Sequence, residues 1–221
     1  MARKRVAVLI SGRGSNLASL LGAAAAADFP AEIALVVSNR PEAAGLQRAT
    51  RAGVQTRVVD HLSFGKGEAA RAAFEGAVDA AVREANIDII CLAGFMRILS
   101  QAFVGRWSGR ILNIHPSLLP AFKGLDAHAQ ALAAGVKIAG CTVHFVSAEM
   151  DSGPIVGQAA VPVLPGDDGA ALAARILAEE HRLYPACLRL VAEGKARLTA
   201  AGLVELDAAA AAGAPLLNPA P

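Results

Sequence analysis

Three polar residues stand out for what their side chains can do together. Asn113 and His115 are separated by one residue in the run Asn113-Ile114-His115-Pro116-Ser117-Leu118-Leu119-Pro120. If the stretch before the first proline is a strand, its period of two puts both side chains on one face. At the carboxyl end of a parallel strand such a face opens on a ligand crevice. The asparagine can donate a hydrogen bond to a developing oxyanion, and the histidine can donate one or carry a proton. A lone Asn or His here reads as structural; the pair, followed by a stiff double-proline exit, reads as functional. Asp151, in Glu149-Met150-Asp151-Ser152-Gly153-Pro154, adds a carboxylate able to orient or charge a histidine and take up protons. It equally suits an Asx-turn before Gly-Pro, and sequence alone leaves open whether it approaches His115.

Two further segments have the chemistry of binding. The turn Gly12-Arg13-Gly14-Ser15-Asn16 follows an apolar run and precedes a helical one. Glycines let the backbone approach a ligand, and the following helix aims its first N–H groups and the positive end of its dipole at the same place. A single phosphomonoester is the natural guest. The plain alternative is a strand-to-helix turn with Ser15 or Asn16 as N-cap. The loop is neither a P-loop nor a complete G-x-G-x-x-G, since Leu17 stands where the last glycine would be. The second segment, Leu92 to Leu99, mixes apolar bulk with one arginine, Arg97, and could wall a planar ligand. Read locally, it is ordinary core plus a surface arginine.

The elements that must position these residues alternate two periods. Strands are expected at Val6–Ile10, Ile33–Val37, Val54–Val59 and Ile87–Leu92, with helices at Leu17–Ala27, Ala43–Ala52 and Glu68–Ala85. That pattern predicts an α/β fold with a doubly wound, mostly parallel sheet. After Gly94 the pattern changes. Arg110–Ile114 reads as one more strand, and Thr142–Val146 and Ile155–Val163 as two strands around the turn at 151–154, so antiparallel strands are expected in the C-terminal half. A long helix over Gly169–Glu193 should start from Asp167 or Asp168 as N-cap and be ended or kinked by Pro185. We expect one domain over residues 1–207 and a disordered, alanine- and proline-rich tail over 208–221.

Composition removes several functions. A formal net charge of +2 argues against wholesale nucleic-acid or membrane-surface binding. Three cysteines, an odd number without C-x-x-C, do not make a disulfide framework or a zinc knuckle and fit a reducing cytoplasm. There is no run of 18 apolar residues and no signal-peptide core. The remaining histidines, His61, His128, His144 and His181, are widely spaced, so no metal is expected. No Ser-His or Cys-His nucleophile pattern appears, which favours direct group transfer over a covalent intermediate.

Taken together, the motifs resemble glycinamide ribonucleotide formyltransferases, the folate-dependent enzymes of purine synthesis. The resemblance runs from about Val6 to Leu198 and rests on I-S-G-R-G-S-N-L at 10–17, L-A-G-F-M-R-I-L at 92–99, L-N-I-H-P-S-L-L-P at 112–120, T-V-H-F-V at 142–146 and D-S-G-P-I at 151–155. It implies a Rossmann-like formyltransferase fold and transfer of the formyl group of 10-formyltetrahydrofolate to the amine of glycinamide ribonucleotide. Asn113, His115 and Asp151 match the catalytic trio, and His144 a second histidine near it. Gly14, Ser15 and Asn16 resemble the residues that hold the substrate phosphate, with Glu180 near the ribose. Arg71, Met96, Arg97, Ile98 and Leu99 resemble the cofactor side, together with the loop from Val146 to Asp151. Three alternatives stand beside this one. A formyltetrahydrofolate hydrolase shares the trio but usually adds an N-terminal domain. A methionyl-tRNA formyltransferase would add a C-terminal domain and a basic surface. A phosphate-ligand binding module would need no trio. Monomer and homodimer are both open.

Overall fold

The first strand, β1 (Lys4–Ile10), shows why the chain folds as it does: Val6, Ala7, Val8, Leu9 and Ile10 are all wholly buried. A run apolar on both faces belongs inside a parallel sheet covered by helices. The structure, a computed structural model, describes residues 2–207 and residue 218. It resolves into two compact units, Met1–Asn113 and Ile114–Pro221.

In the first unit β1 leads through α1 (Ser15–Ala24) to β2 (Ala31–Ser38), and α2 (Ala44–Arg51) leads to β3 (Gln55–Val58). A short 3-10 turn over His61–Phe64 and α3 (Glu68–Glu84) precede β4 (Ile89–Leu92); α4 (Gln101–Arg106) precedes β5 (Ile111–His115), whose last two residues belong to the second unit. The order is β3-β2-β1-β4-β5. The pairings β1–β2, β2–β3, β1–β4 and β4–β5 are all parallel. The carboxyl ends of β1 and β4 therefore lie side by side, with Leu9 opposite Leu92. Both strands run out there into the motifs singled out above.

The second unit holds α5 (Ala127–Ala133), an antiparallel pair β6 (Ile138–Phe145) and β7 (Ile155–Pro162), the long α6 (Gly169–Ala192), and a small antiparallel pair β8 (Ala196–Leu198) and β9 (Val204–Leu206). The fold is thus α/β with a mostly parallel sheet and an antiparallel hairpin in the C-terminal half, as the periods predict.

Several expectations need correcting. Pro185 does not end the helix: α6 runs on to Ala192. A proline there costs one hydrogen bond and a clash, roughly 3 kcal/mol. The buried stripe Leu172, Ile176, Tyr184, Cys187 and Leu188 outweighs it. Asp168 is the N-cap, accepting from Ala171 N, while Asp167 takes a bidentate hold on Arg175. At α1 neither Ser15 nor Asn16 caps the helix; Gly14 does, at φ 71°, ψ 40°. The helices α4 and α5 and the pair β8–β9 are too short to announce a period, and β6 starts four residues before Thr142. The expectation for the tail falls on residues 208–217 and 219–221, outside the described residues. Asn218 is described, with its side-chain amide donating to the carbonyls of Lys137 and Val163.

Candidate active site

In the first unit the glycine turn is built from backbone. Gly14 sits in the left-handed region, and a Cβ placed on it would lie 2.9 Å from the Cα of Gly45, so a side chain would be both strained and crowded. Gly45 N–H in turn donates to the Gly12 carbonyl at 3.0 Å. No side chain caps α1, which begins at Ser15 with Asn16 buried behind it. The N–H groups of a first helical turn have no partner further back in their own helix. An anion placed before Ser15 meets them and the positive end of the helix dipole.

The segment after β4 follows a different rule. Met96 and Ile98 are 62% and 63% exposed, and Arg97 is exposed too, while Leu99 is buried. The reading of this stretch as ordinary core plus a surface arginine holds for Leu92, Ala93, Arg97 and Leu99 but fails at Met96 and Ile98. Two bulky apolar side chains face outward from a loop whose backbone is tied down. Arg71 lies exposed on the first turn of α3. A cavity of about 260 Å³ lined by Arg83, Asn86, Ile87, Trp107 and Arg110 contains none of the candidate residues. Ile87 and Arg110 precede β4 and β5, so it lies at the amino edge of the parallel strands.

The titratable groups gather in the second unit. Asp151 lies between two histidines, its Oδ2 3.4 Å from His115 Nδ1 and its Oδ1 3.9 Å from His144 Nε2. All three side chains are largely shielded from solvent, 7% exposed for His115, 2% for His144 and 12% for Asp151. The turn that carries Asp151 is docked on the end of β6. Phe145 N–H donates to the Pro154 carbonyl at 2.9 Å, and a Cβ on Gly153 would overlap the Phe145 carbonyl oxygen. Asp151 itself has φ 50°, a left-handed conformation that aspartate tolerates better than most residues. Gly124 N–H donates to Asp151 Oδ2 at 2.9 Å.

The ring nitrogens have fixed partners. His115 Nε2 lies 2.9 Å from the Phe122 carbonyl oxygen, which needs a proton on that nitrogen. Nδ1 then faces the carboxylate, and both nitrogens meet acceptors. That is the arrangement a doubly protonated imidazole satisfies. His144 Nδ1 donates to its neighbour's carbonyl, Phe145 O, at 2.9 Å. Burial lowers the pKa of His144; the Phe145 carbonyl and Asp151 pull it up, and His115 pushes it down further. His144 is thus held toward its neutral form.

Asn113 ends the first unit on β5, two residues before His115 and half-buried. Asn113 and His115 occupy alternate positions of β5. Val146 follows β6 directly, and Glu180 is buried in the middle of α6, 6% exposed. What sequence reasoning missed is mostly backbone. The Phe122 carbonyl and Gly124 N–H, which engage His115 and Asp151, carry no side-chain signature. Phe122 at φ 54° and Gly124 at φ 79° make a loop that residue types do not announce. Among the described residues no group of three or more His, Cys, Asp or Glu is arranged to hold a metal ion, and no helix is long and apolar enough to cross a membrane. The thiols of Cys141 and Cys187 are pushed up to about 12, chiefly by burial, so neither is a nucleophile at neutral pH.

Comparison with known proteins bears on this arrangement. Residues 4–188 match the formyl transferase family. The chain is 52% identical over 200 residues to the trifunctional purine biosynthetic protein adenosine-3 of Gallus gallus, covering 90% of this chain and 20% of that protein. It therefore spans about a fifth of the length of that relative. It is 42% identical over 193 residues to the phosphoribosylglycinamide formyltransferase of Escherichia coli, covering 87% of this chain and 89% of the other. Among solved structures, glycinamide ribonucleotide transformylase 1 from Symbiobacterium toebii superposes with a TM-score of 0.87 at 48% identity, over 93% of this chain and 95% of that one. A formyltetrahydrofolate deformylase from Pseudomonas syringae superposes at 0.83, but at 26% identity and over 66% of its own length.

Proposed function

We infer, for a chain that belongs to the formyl transferase family and within it to the phosphoribosylglycinamide formyltransferases, that it moves the formyl group of 10-formyltetrahydrofolate to the amine of glycinamide ribonucleotide, in the synthesis of purines. The observation that carries the reading is the meeting of His115 and Asp151 at 3.4 Å, on a strand that also bears Asn113. A module that only bound a phosphate ligand would gain nothing from burying these groups together.

The chemistry follows from the donors and acceptors. The substrate amine attacks the formyl carbon, a C–N bond forms, and the carbonyl oxygen becomes an alkoxide. The Asn113 amide and the protonated His115 ring stabilise that charge in a site poor in water, where each hydrogen bond counts for more than in solvent. The hydrogen bond that His115 Nε2 gives to the Phe122 carbonyl is the one an alkoxide would take over. Asp151 supports the charged ring and takes the proton that the attacking nitrogen sheds. The bond from the formyl carbon to the folate nitrogen then breaks, and that nitrogen receives a proton as it leaves. His144 lies on the far side of Asp151, its Nε2 3.9 Å from Oδ1, and as a neutral ring whose one proton goes to the Phe145 carbonyl it adds no second positive charge beside the carboxylate.

For binding, we assign the substrate phosphate to Gly14, Ser15 and Asn16 and the ribose to Glu180. The pteridine we assign to Met96, Arg97, Ile98 and Leu99 with the loop from Val146 to Asp151, and the outer part of the folate to Arg71. The exposed Met96 and Ile98 support the pteridine assignment, because a planar ligand would cover apolar surface that is otherwise wet. The hydrolase alternative is less favoured, since the deformylase likeness is 26% against 42% for the transferase.

The test is an absorbance assay of the full chain with 10-formyltetrahydrofolate, with and without glycinamide ribonucleotide. Folate turnover that requires the amine acceptor is expected. Equal turnover without it would make the protein a hydrolase, and no turnover in either case would remove the enzymatic reading.

A further inference from the structure

Ser11 is the residue at which β1 becomes the glycine turn, and it is 7% exposed. Its bonds lead to the loop after β4. Its N–H donates to the Gly94 carbonyl at 3.2 Å, and its Oγ accepts from Met96 N–H at 2.8 Å. One serine thus grips the chain on both sides of Phe95. The same hydroxyl donates to Asn39 Oδ1 at 2.5 Å, and Asn39 is 1% exposed at the end of β2. The His61 ring backs the asparagine, with Nδ1 2.9 Å from its carbonyl oxygen. With its hydrogen donated and its oxygen accepting, the Ser11 hydroxyl has little freedom to turn.

The other end of the loop is held from a different element. Glu75, 3% exposed on α3, accepts from Ser100 N–H at 2.6 Å and from the Ser100 hydroxyl. Its neighbour Phe74 stacks on Phe95, with ring centroids 6.5 Å apart at 14°. Residues 96–99 are therefore clamped at both ends while Met96 and Ile98 point outward. Only the clamp at the Met96 end is continuous with the glycine turn.

We propose that Ser11 is a positioning residue that couples two ligand subsites of the first unit, so that an organic phosphate held at residues 14–16 tightens the binding of a reduced folate at residues 96–99, and the reverse. The inference rests on the assignment of those two segments given above. An anion seated at the turn fixes the backbone on one side of Ser11. Through the hydroxyl it fixes the Met96 amide on the other, so the folate segment has less ordering left to lose when its ligand arrives. By linkage the effect is reciprocal.

The experiment is calorimetric titration of the full chain with tetrahydrofolate, in the absence and presence of saturating glycinamide ribonucleotide. This pair binds without reacting, because no formyl group is present. In the wild-type protein the substrate is expected to tighten tetrahydrofolate about fivefold or more, the lower range of measured couplings. Ser11→Ala should bring the ratio close to one, and Ser11→Thr, which restores the hydroxyl, should bring it back. Ser11→Cys keeps the volume with a weaker hydrogen bond and serves in place of Ser11→Ala should that variant fail to fold. Glu75→Gln should weaken tetrahydrofolate equally with and without the substrate, leaving the ratio intact. A wild-type ratio of one, with both ligands bound, overturns the coupling while leaving the enzymatic reading untouched. So does a wild-type ratio in Ser11→Ala, or a ratio lost equally in Glu75→Gln. Failure of the wild-type protein to bind either ligand overturns the subsite assignments, and the coupling with them.

Discussion

The two units solve different problems with different parts of the chain. In the first, the candidate phosphate turn is made of main chain: a left-handed Gly14, a glycine packed against it at position 45, and a start of α1 that no side chain caps. In the second, the groups that can handle protons are side chains, His115 and His144, each within 4 Å of Asp151, and all three are shielded from solvent. Backbone amides and a helix dipole cannot titrate, so they hold a charge without exchanging protons with it. Imidazoles and carboxylates do exchange protons, and burial makes their charge states depend on each other. The contrast implies a division of labour. Substitutions at the turn should act on substrate affinity, and substitutions around Asp151 on turnover.

The largest effect should come from the second unit. Asp151→Asn keeps the shape and removes the charge beside His115, and kcat is expected to fall about 10²–10⁴-fold with KM changed little. His115→Ala should cost at least as much. The double variant should be little worse than the worse single, because the two residues act as one unit. Steady-state kinetics on the four proteins decide the matter. Near-normal turnover in Asp151→Asn, or losses that simply multiply, would reduce Asp151 to a turn residue.

At the turn, Ser15→Ala and Asn16→Ala should mainly raise KM for the ribonucleotide, by about 10- to 100-fold. A hydrogen bond to a charged group contributes roughly 1.5–3 kcal/mol. If kcat falls instead while KM holds, the division between the units is wrong. Gly14→Ala should be milder in binding energy but visible in stability. A residue with a Cβ pays roughly 1–2 kcal/mol in the left-handed region, and here the new atom also meets Gly45. A melting temperature lower by about 2–8 °C is expected; an unchanged one would mean that the turn relaxes to another conformation.

How far the sequence foretold these two regions follows the same line. The parallel half was legible where a strand is a continuous apolar run, as β1 is, or a helix is long, as α3 is; Val6–Ile10 and Glu68–Ala85 fall within two residues of the observed elements. Asn113 and His115 were legible as candidates because they stand two apart at the end of one short strand. The approach of Asp151 to His115 was not, since it depends on the docking of the 151–154 turn against Phe145, set by backbone contact at Gly153. The long helix over 169–193 was legible through Pro185, because the proline's penalty is local whereas the buried face of α6 spreads from Leu172 to Leu188. Ser11 and Glu75 went unnoticed because one buried serine and one glutamate on a helix form no pattern until the loop from 94 to 100 is folded against them.

The smallest effect separates the units by pH. Three histidines of the second unit, His128, His144 and His181, have pKa values lowered by burial as the leading cause. His144 is the one packed against Asp151, at 2% exposure. With its folded value below the ordinary 6.5, it is neutral in both states well above pH 6.5. As pH falls below 6.5 the unfolded chain takes up a proton that the folded protein refuses, so stability is lost until the lowered value is reached, and no further loss follows. The slope from this one group is at most about 1.4 kcal/mol per pH unit. In a chain of this size that is about 3–6 °C in melting temperature per pH unit. His144→Gln removes the titration, so the drop in melting temperature between pH 7.5 and pH 5.5 should be smaller in the variant than in the wild type. Parallel curves for the two proteins would mean that burial does not shift His144, which then takes up its proton as readily in the folded protein as in the unfolded chain.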